Sequence, residues 1–290
     1  MTTRPLRFLV AESEPPEARE RRRASVGRTS GETYMDTLRA IAPGALCDLV
    51  RLAEETADVP AGGALEGYDG VFLTGSPLHV YEDTPEVRRQ LDFMRAVFAS
   101  GTPAFGSCAG LQVAAVAAGG MVRENRRGHE VGIARRITPT EAGRAHGLLA
   151  GRPAAFDALS IHSDEVERLP DGAVLLASNG ATAIQAAEIR HAGGIFWGVQ
   201  YHPELPLEEI AAAVRRQAED VIEQGLARDV ADVATQAGLI EALGREPGRR
   251  DLLWRLGVDD EVADAGRRQT ELRNAVEHLV KPTASGRGRG

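Results

Sequence analysis

The sequence predicts an α/β sandwich built on a mainly parallel central sheet. Three observations point there. Short, largely apolar runs at residues 6–11, 70–74, 102–106 and 195–201 fit strands covered on both faces. Segments with helical periodicity lie between several of these runs. One run ends directly in Gly106-Ser107-Cys108-Ala109-Gly110, which reads as strand, sharp turn and helix.

In chain order, residues 6–11 form the first strand. Residues 12–29 are charged, carry Pro15 and Pro16, and read as an exposed loop in which Arg21-Arg22-Arg23 is a solvated face. Ser30 caps a helix to about residue 41, ended by Pro43 and Gly44. Residues 46–52 are a second strand, 61–68 a turn-rich lead-in, and 70–74 a third strand running into Gly75-Ser76-Pro77. Thr84 caps a helix over 85–99, with proline at its first position and Leu91, Met94, Val97 and Phe98 on one face. Residues 102–106 deliver Cys108, and a helix over 111–118 ends at Gly119-Gly120. Residues 134–138 read as an edge or surface strand, and 141–157 carry little signal. Asn179-Gly180 predicts a hairpin between strands at 173–177 and 183–187. Residues 195–201 are the last strand. Helices are then expected over 207–226, 229–243, 249–256 and 260–280, with a frayed Gly/Arg/Ser-rich tail at 281–290. Three units are expected: 1–210, a helical extension at 211–280, and the tail.

Cys108 stands at the apex of the turn and at a helix N-terminus, where oriented N–H groups favour a thiolate. Those five residues alone fit a buried structural cysteine equally well. His202-Pro203-Glu204, closing the last apolar strand, separates the two readings. A nucleophilic cysteine needs a base, and the base needs an orienting group. His202 can take the thiol proton, Glu204 can hold the imidazole, and Pro203 ends the strand between them. His162-Ser163-Asp164 offers a rival His-x-acid pair; His202 is preferred because it closes the more apolar strand. Gln112 lies one helical turn beyond Cys108 and faces the same way.

Gly-Ser-Cys-Ala-Gly-Leu-Gln at 106–112 and Gly-Val-Gln-Tyr-His-Pro-Glu at 198–204 together resemble the class I (triad) glutamine amidotransferases, with the glutaminase part of GMP synthase and its stand-alone relatives nearest in flavour. The resemblance covers roughly residues 5 to 210. It implies a flavodoxin-like sandwich, a Cys108–His202–Glu204 triad, and hydrolysis of the side-chain amide of L-glutamine through a γ-glutamyl thioester. It also implies an oxyanion hole made by the backbone N–H groups near Ser76 and Ala109, because attack on an amide builds negative charge on oxygen. The family pattern at 75–77 is Gly-Gly-Pro, so Ser76 is a departure that keeps the backbone donor. Gly75, Gln112, His162 and Ser163 correspond to substrate-contacting positions, and Glu130 to a Glu-x-Gly strand start near the pocket. No metal or cofactor is implied. The acceptor of ammonia would be a separate synthase, since no synthetase motif is present. A free-standing γ-glutamyl amide or peptide hydrolase is the alternative, and a non-catalytic scaffold on the same fold the third reading.

Composition bounds these readings. The 290 residues suit one large α/β domain with an extension, and a formal charge of −8 gives no reason to expect nucleic-acid binding. Two cysteines, Cys47 and Cys108, make no disulfide framework. No apolar run approaches the roughly 20 residues of a membrane span, and no signal-peptide pattern opens the chain. A cytoplasmic protein is expected. The C-terminal helices could serve a homodimer or a synthase interface.

Overall fold

The computed structural model describes residues 4–60 and 62–287. Among the described residues eleven strands run in chain order as β1 (Arg7–Glu12), β2 (Leu46–Arg51), β3 (Gly70–Leu73), β4 (Ala104–Ser107), β5 (Met121–Glu124), β6 (Glu130–Pro139), β7 (Phe156–His162), β8 (Asp164–Arg168), β9 (Val174–Ser178), β10 (Ala186–His191) and β11 (Gly194–Val199). Nine of them form one sheet in the order β2-β1-β3-β4-β11-β10-β9-β6-β7, and β5 pairs with β8 apart from it. From β2 to β11 the neighbours are parallel. From β11 to β7 they are antiparallel. The parallel block carries the strand ends that matter below.

Alternation along the strands builds two cores. Leu9, Ala11, Val71 and Leu73 face one side, covered by the helices Pro85–Ser100 and Ala109–Ala117. Phe8, Val10, Phe72 and Phe105 face the other, covered by Tyr34 and Leu38 of the helix Ser30–Ile41. The same face is finished by Leu272, Ala275, Val276, Leu279 and Val280. A third cluster joins Leu159 and Leu205 to the helices Leu207–Arg216 and Val230–Arg245.

Several local expectations hold. Thr84 accepts from the Val87 N–H at the start of Pro85–Ser100, and Asp229 caps Val230–Arg245. Others are corrected. Residues 16–26 form a helix, not a loop. Its Arg19 and Arg22 are buried, and each is neutralised by one distant and one nearby carboxylate: Arg19 by Glu54 and Glu12, Arg22 by Glu209 and Glu14. Thr29, not Ser30, is the N-cap of the next helix, through a reciprocal capping box with Glu32. β6 is not an edge strand; it lies between β9 and β7. The β9–β10 hairpin exists, but its second strand starts at Ala186 and its loop is long. Asn179 Oδ1 accepts from the Ala181 and Thr182 N–H groups, an Asx turn in place of a tight Asn-Gly reversal. The helix begun at Leu207 breaks at Gln217, and residues 260–280 are several short helices ending in a π-helical stretch, Ala275–Val280. Lys281–Arg287 is helical where a frayed tail is expected; residues 288–290 and residue 61 lie outside the described residues.

The C-terminal helices are tied to the sheet by a buried charge cluster. The Arg152 guanidinium donates to both oxygens of Glu271 at 2.7 Å and to Glu261 at 2.7 Å. Its flat face lies over the Phe156 ring, 4.5 Å from the centroid. Tyr201, next to His202, donates to Glu271 at 2.9 Å. Removing one partner of such a cluster leaves uncompensated buried charge, which costs about 3–5 kcal/mol. Arg152→Ala is therefore expected to lower folding stability by about that amount, read from urea unfolding at neutral pH.

Candidate active site

The carboxyl ends of three neighbouring parallel strands meet at one point. β3 runs into Gly75 and Ser76, β4 into Cys108, and β11 into His202 and Glu204. β4 and β11 pair with Ser107 opposite Val199, so Cys108 and the segment leading to His202 leave the sheet side by side. The Cys108 N–H donates to the Val199 carbonyl at 2.8 Å, extending the pairing by one residue.

Cys108 has φ 53° and ψ −111°, a left-handed conformation that a side-chain-bearing residue adopts only under constraint. The glycines on either side allow it. A Cβ on Gly106 would stand 3.0 Å from the Gly110 backbone, and a Cβ on Gly110 would stand 2.9 Å from the Leu73 carbonyl oxygen. The helix Ala109–Ala117 therefore packs directly on the strand ends, with Ala109 its first residue, where N–H groups have no carbonyl one turn back. The Cys108 thiol is buried, 3.9 Å from the Ile161 carbonyl and against the His202 imidazole.

His202 is buried, and its Nδ1 lies 2.7 Å from Glu204 Oε1. Its Nε2 is buried with no hydrogen-bond partner of good geometry. Burial pulls the imidazolium's pKa down, but the Glu204 carboxylate and the Cys108 sulfur more than offset it and push it up to about 10. The His202 N–H donates to the Leu159 carbonyl at 2.8 Å, so β7 also fixes this loop. Gly75 is pressed against the pair. A Cβ there would lie 2.8 Å from His202 Cε1 and 3.7 Å from Cys108 Cβ.

Behind Glu204 runs a line of hydroxyls. Ser107 Oγ donates to Glu204 Oε2 at 2.8 Å. Tyr34 OH lies 2.6 Å from Ser107 Oγ, and because the serine hydrogen is already given to the carboxylate, the tyrosine is the donor. Burial, aided by the Glu204 charge, pushes the Tyr34 phenol well above its ordinary value, so it keeps its proton. Thr37 Oγ1 donates to the Glu204 carbonyl at 3.2 Å.

These groups open onto a cleft of about 720 Å³. Its lining includes Gly75, Ser76, Cys108, Gln112, His162, Ser163, His202 and Glu204, so these residues singled out from sequence share one cleft; Ala109 follows Cys108 in the chain, and Glu130 contacts His162. Gln112 Nε2 donates to the Asp164 carbonyl at 3.2 Å and to Gln200 Oε1 at 3.3 Å. His162 has both ring nitrogens on acceptors, Nδ1 at 2.9 Å from the Asp164 carbonyl and Nε2 at 3.1 Å from Glu130. Both of its ring nitrogens are thus engaged, whereas Nε2 of His202 lies against the Cys108 sulfur, so His202 is the candidate base. Glu130 also accepts from Asn179, Thr182 and Gln185. Burial raises the pKa of Glu130, but His162 and the other donors hold it below the usual carboxylate value. The Ser76 hydroxyl donates to the Ser13 carbonyl at 3.0 Å.

A nucleophile at a strained strand–helix turn, an imidazole beside it and a carboxylate behind that imidazole can perform acyl transfer from an amide. Residues 37–218 match the family model of class-I glutamine amidotransferases. The chain belongs to that family. Within this glutamine amidotransferase family it is 42% identical to a γ-glutamyl-L-1-hydroxyisopropylamide hydrolase from a Pseudomonas species, over 225 residues that make 76% of this chain and 75% of that protein. It is 34% identical to the GMP synthase of Leifsonia xyli over 200 residues, 68% of this chain and 38% of that protein. The chain thus spans well under half of the synthase. Among solved structures, a glutamine amidotransferase from Thermotoga maritima superposes with a TM-score of 0.63 at 16% identity, covering 94% of this chain and 98% of that one. One from Methylobacillus flagellatus gives 0.61 at 19% identity, over 94% and 93%. Those two likenesses establish the fold. Among the described residues no helix is long and apolar enough to cross a membrane.

The raised His202 pKa carries a sign for stability. The folded state binds the proton more tightly than the unfolded chain, whose histidine titrates at about 6.5. The stabilisation is complete below about pH 6.5 and is lost as pH rises to about 10. Urea unfolding between pH 6 and 10 is expected to show this decline in the wild type, and a shallower one in Glu204→Gln, which lacks the charge that raises the pKa.

Proposed function

We propose that this enzyme hydrolyses the γ-glutamyl C–N bond of small γ-glutamyl amides. The carrying observation is the unpartnered Nε2 of His202 beside Cys108, with Nδ1 held by Glu204 at 2.7 Å. His202 holds the thiol proton and the Cys108 sulfur attacks the amide carbon. The N–H groups of Ser76 and Ala109 stabilise the oxyanion. His202 then gives its proton to the departing amine, leaving a γ-glutamyl thioester. Water, deprotonated by the same imidazole, attacks the thioester and glutamate leaves. Glu204 keeps Nε2 aimed at the reacting atoms throughout. Gly75, Gln112, His162 and Ser163 bind the γ-glutamyl part. Gly75 leaves room for the imidazole, and Gln112 is held in place by Asp164 and Gln200.

Two leaving groups fit this chemistry. The likeness to a hydrolase of similar span, and a cleft of about 720 Å³, support a substituted amine. The likeness to the glutaminase part of GMP synthase supports ammonia from L-glutamine, passed to a separate synthase that would dock, like a second copy in a homodimer, on the helices after residue 210. In either case residues 1–210 supply the reacting groups, and the setting proposed is the cytoplasm.

The test is a mass-detected panel of L-glutamine and γ-glutamyl alkylamines. Release of glutamate from the substituted amides is expected to exceed release from glutamine, and Cys108→Ala is expected to abolish both while leaving the circular dichroism spectrum unchanged. Preference for glutamine that rises when a synthase is added would favour the ammonia-donor reading.

A further inference from the structure

We infer that Ser107 and Tyr34 are positioning residues for the reaction, forming a buried relay that holds Glu204 against His202. This rests on the triad reading above and extends it by two residues.

The geometry leaves little room for another role. Glu204 has one carboxylate oxygen on His202 at 2.7 Å and the other on Ser107 at 2.8 Å. If the Ser107 contact is absent, the carboxylate can turn about its terminal bond, and the imidazole loses its fixed direction. Ser107 in turn has its hydroxyl direction set by Tyr34, 2.6 Å away and fully buried. Both oxygens sit in the core, where water cannot substitute for a lost donor. The three elements involved are independent of one another: Tyr34 comes from the helix Ser30–Ile41, Ser107 from β4, and Glu204 from the loop after β11. Two titratable groups face the Glu204 carboxylate and feel its charge, His202 in front and Tyr34 behind, with Cys108 beyond the imidazole. Ser107 is also the residue immediately before the nucleophile. One backbone segment therefore sets both ends of the triad: the sulfur at position 108 and the carboxylate through position 107.

Without the Ser107 donor the carboxylate is no longer fixed toward Nδ1, and the imidazolium that pairs with the Cys108 sulfur is held less firmly. The acid side of the Cys108 reactivity profile should then move to higher pH. The experiment compares wild type, Ser107→Ala, Tyr34→Phe and the double variant. One readout is the pH dependence of iodoacetamide alkylation at Cys108, followed on its own peptide so that Cys47 is counted apart. The other is steady-state hydrolysis of a γ-glutamyl alkylamide. In both single variants the acid limb is expected to rise and kcat to fall about tenfold with KM within twofold, the scale of one charge-assisted hydrogen bond. The double variant should be no worse than Ser107→Ala, because Tyr34 acts only through Ser107. Thermal melting checks folding, and Tyr34→Phe, which removes a single oxygen, carries the test if Ser107→Ala does not fold. An unchanged alkylation profile in a folded variant, or additive losses in the double variant, would overturn the relay. A wild type that turns over no γ-glutamyl amide, while its alkylation profile still shifts in the variants, would leave the relay standing and remove the substrate assignment.

Discussion

A cysteine held at φ 53° has no intrinsic reason to stay there, and the site is arranged around keeping it in place. The neighbours that fix it are backbone, not side chain. The Val199 carbonyl accepts its N–H, and glycines before and after it let the helix Ala109–Ala117 press onto the strand ends. Because β11 is the strand that supplies Val199, the contact that pins Cys108 also sets where His202 emerges. Separating these two requirements would need a change in sheet register, and a one-residue slip would turn the strand faces over.

The electrostatics follow from burial. A histidine in this position, removed from water, would be neutral without a partner; with Glu204 at its back it holds a proton. The far oxygen of the buried Glu204 carboxylate is satisfied by Ser107 and, through it, Tyr34. Nearby, Glu130 solves the same problem differently, with four donors converging on one carboxylate. The first arrangement leaves a nitrogen free toward a thiol. The second leaves none, which is why two His-x-acid pairs that look alike in sequence differ in what they can do.

Much of the parallel block could be read from the chain, because its strands are short apolar runs and its turns carry their own chemistry: Gly106 and Gly110 around Cys108, Pro203 after the last strand, Thr84 before a proline-initiated helix. The residues of the cleft were legible for the same reason. What escaped depends on partners far away in sequence. Arg19 and Arg22 look solvated until Glu54 and Glu209 arrive beside them. Tyr34 looks like one more apolar position in an amphipathic helix, and its hydroxyl gains meaning only when β4 places Ser107 in reach. The Asn179 turn is not the tight reversal that Asn-Gly suggests, because the Asn side chain bonds its own backbone over a longer loop. The C-terminal helices give no local sign that they divide, one group covering the Leu205 side and another the Phe8 side of the sheet.

That division bears on how the polypeptide reaches its native state during synthesis. Phe8, Phe72 and Phe105 belong to the first strands made, yet the face they share is closed by Leu272 to Val280. Until that late segment has left the ribosome, three aromatic rings on adjacent strands have only Tyr34 and Leu38 of the early helix as cover. Contacts between such distant parts of a chain form slowly, because a long loop must close first. The nascent protein therefore passes through an interval with a sticky, half-covered sheet, the kind of surface that molecular chaperones bind.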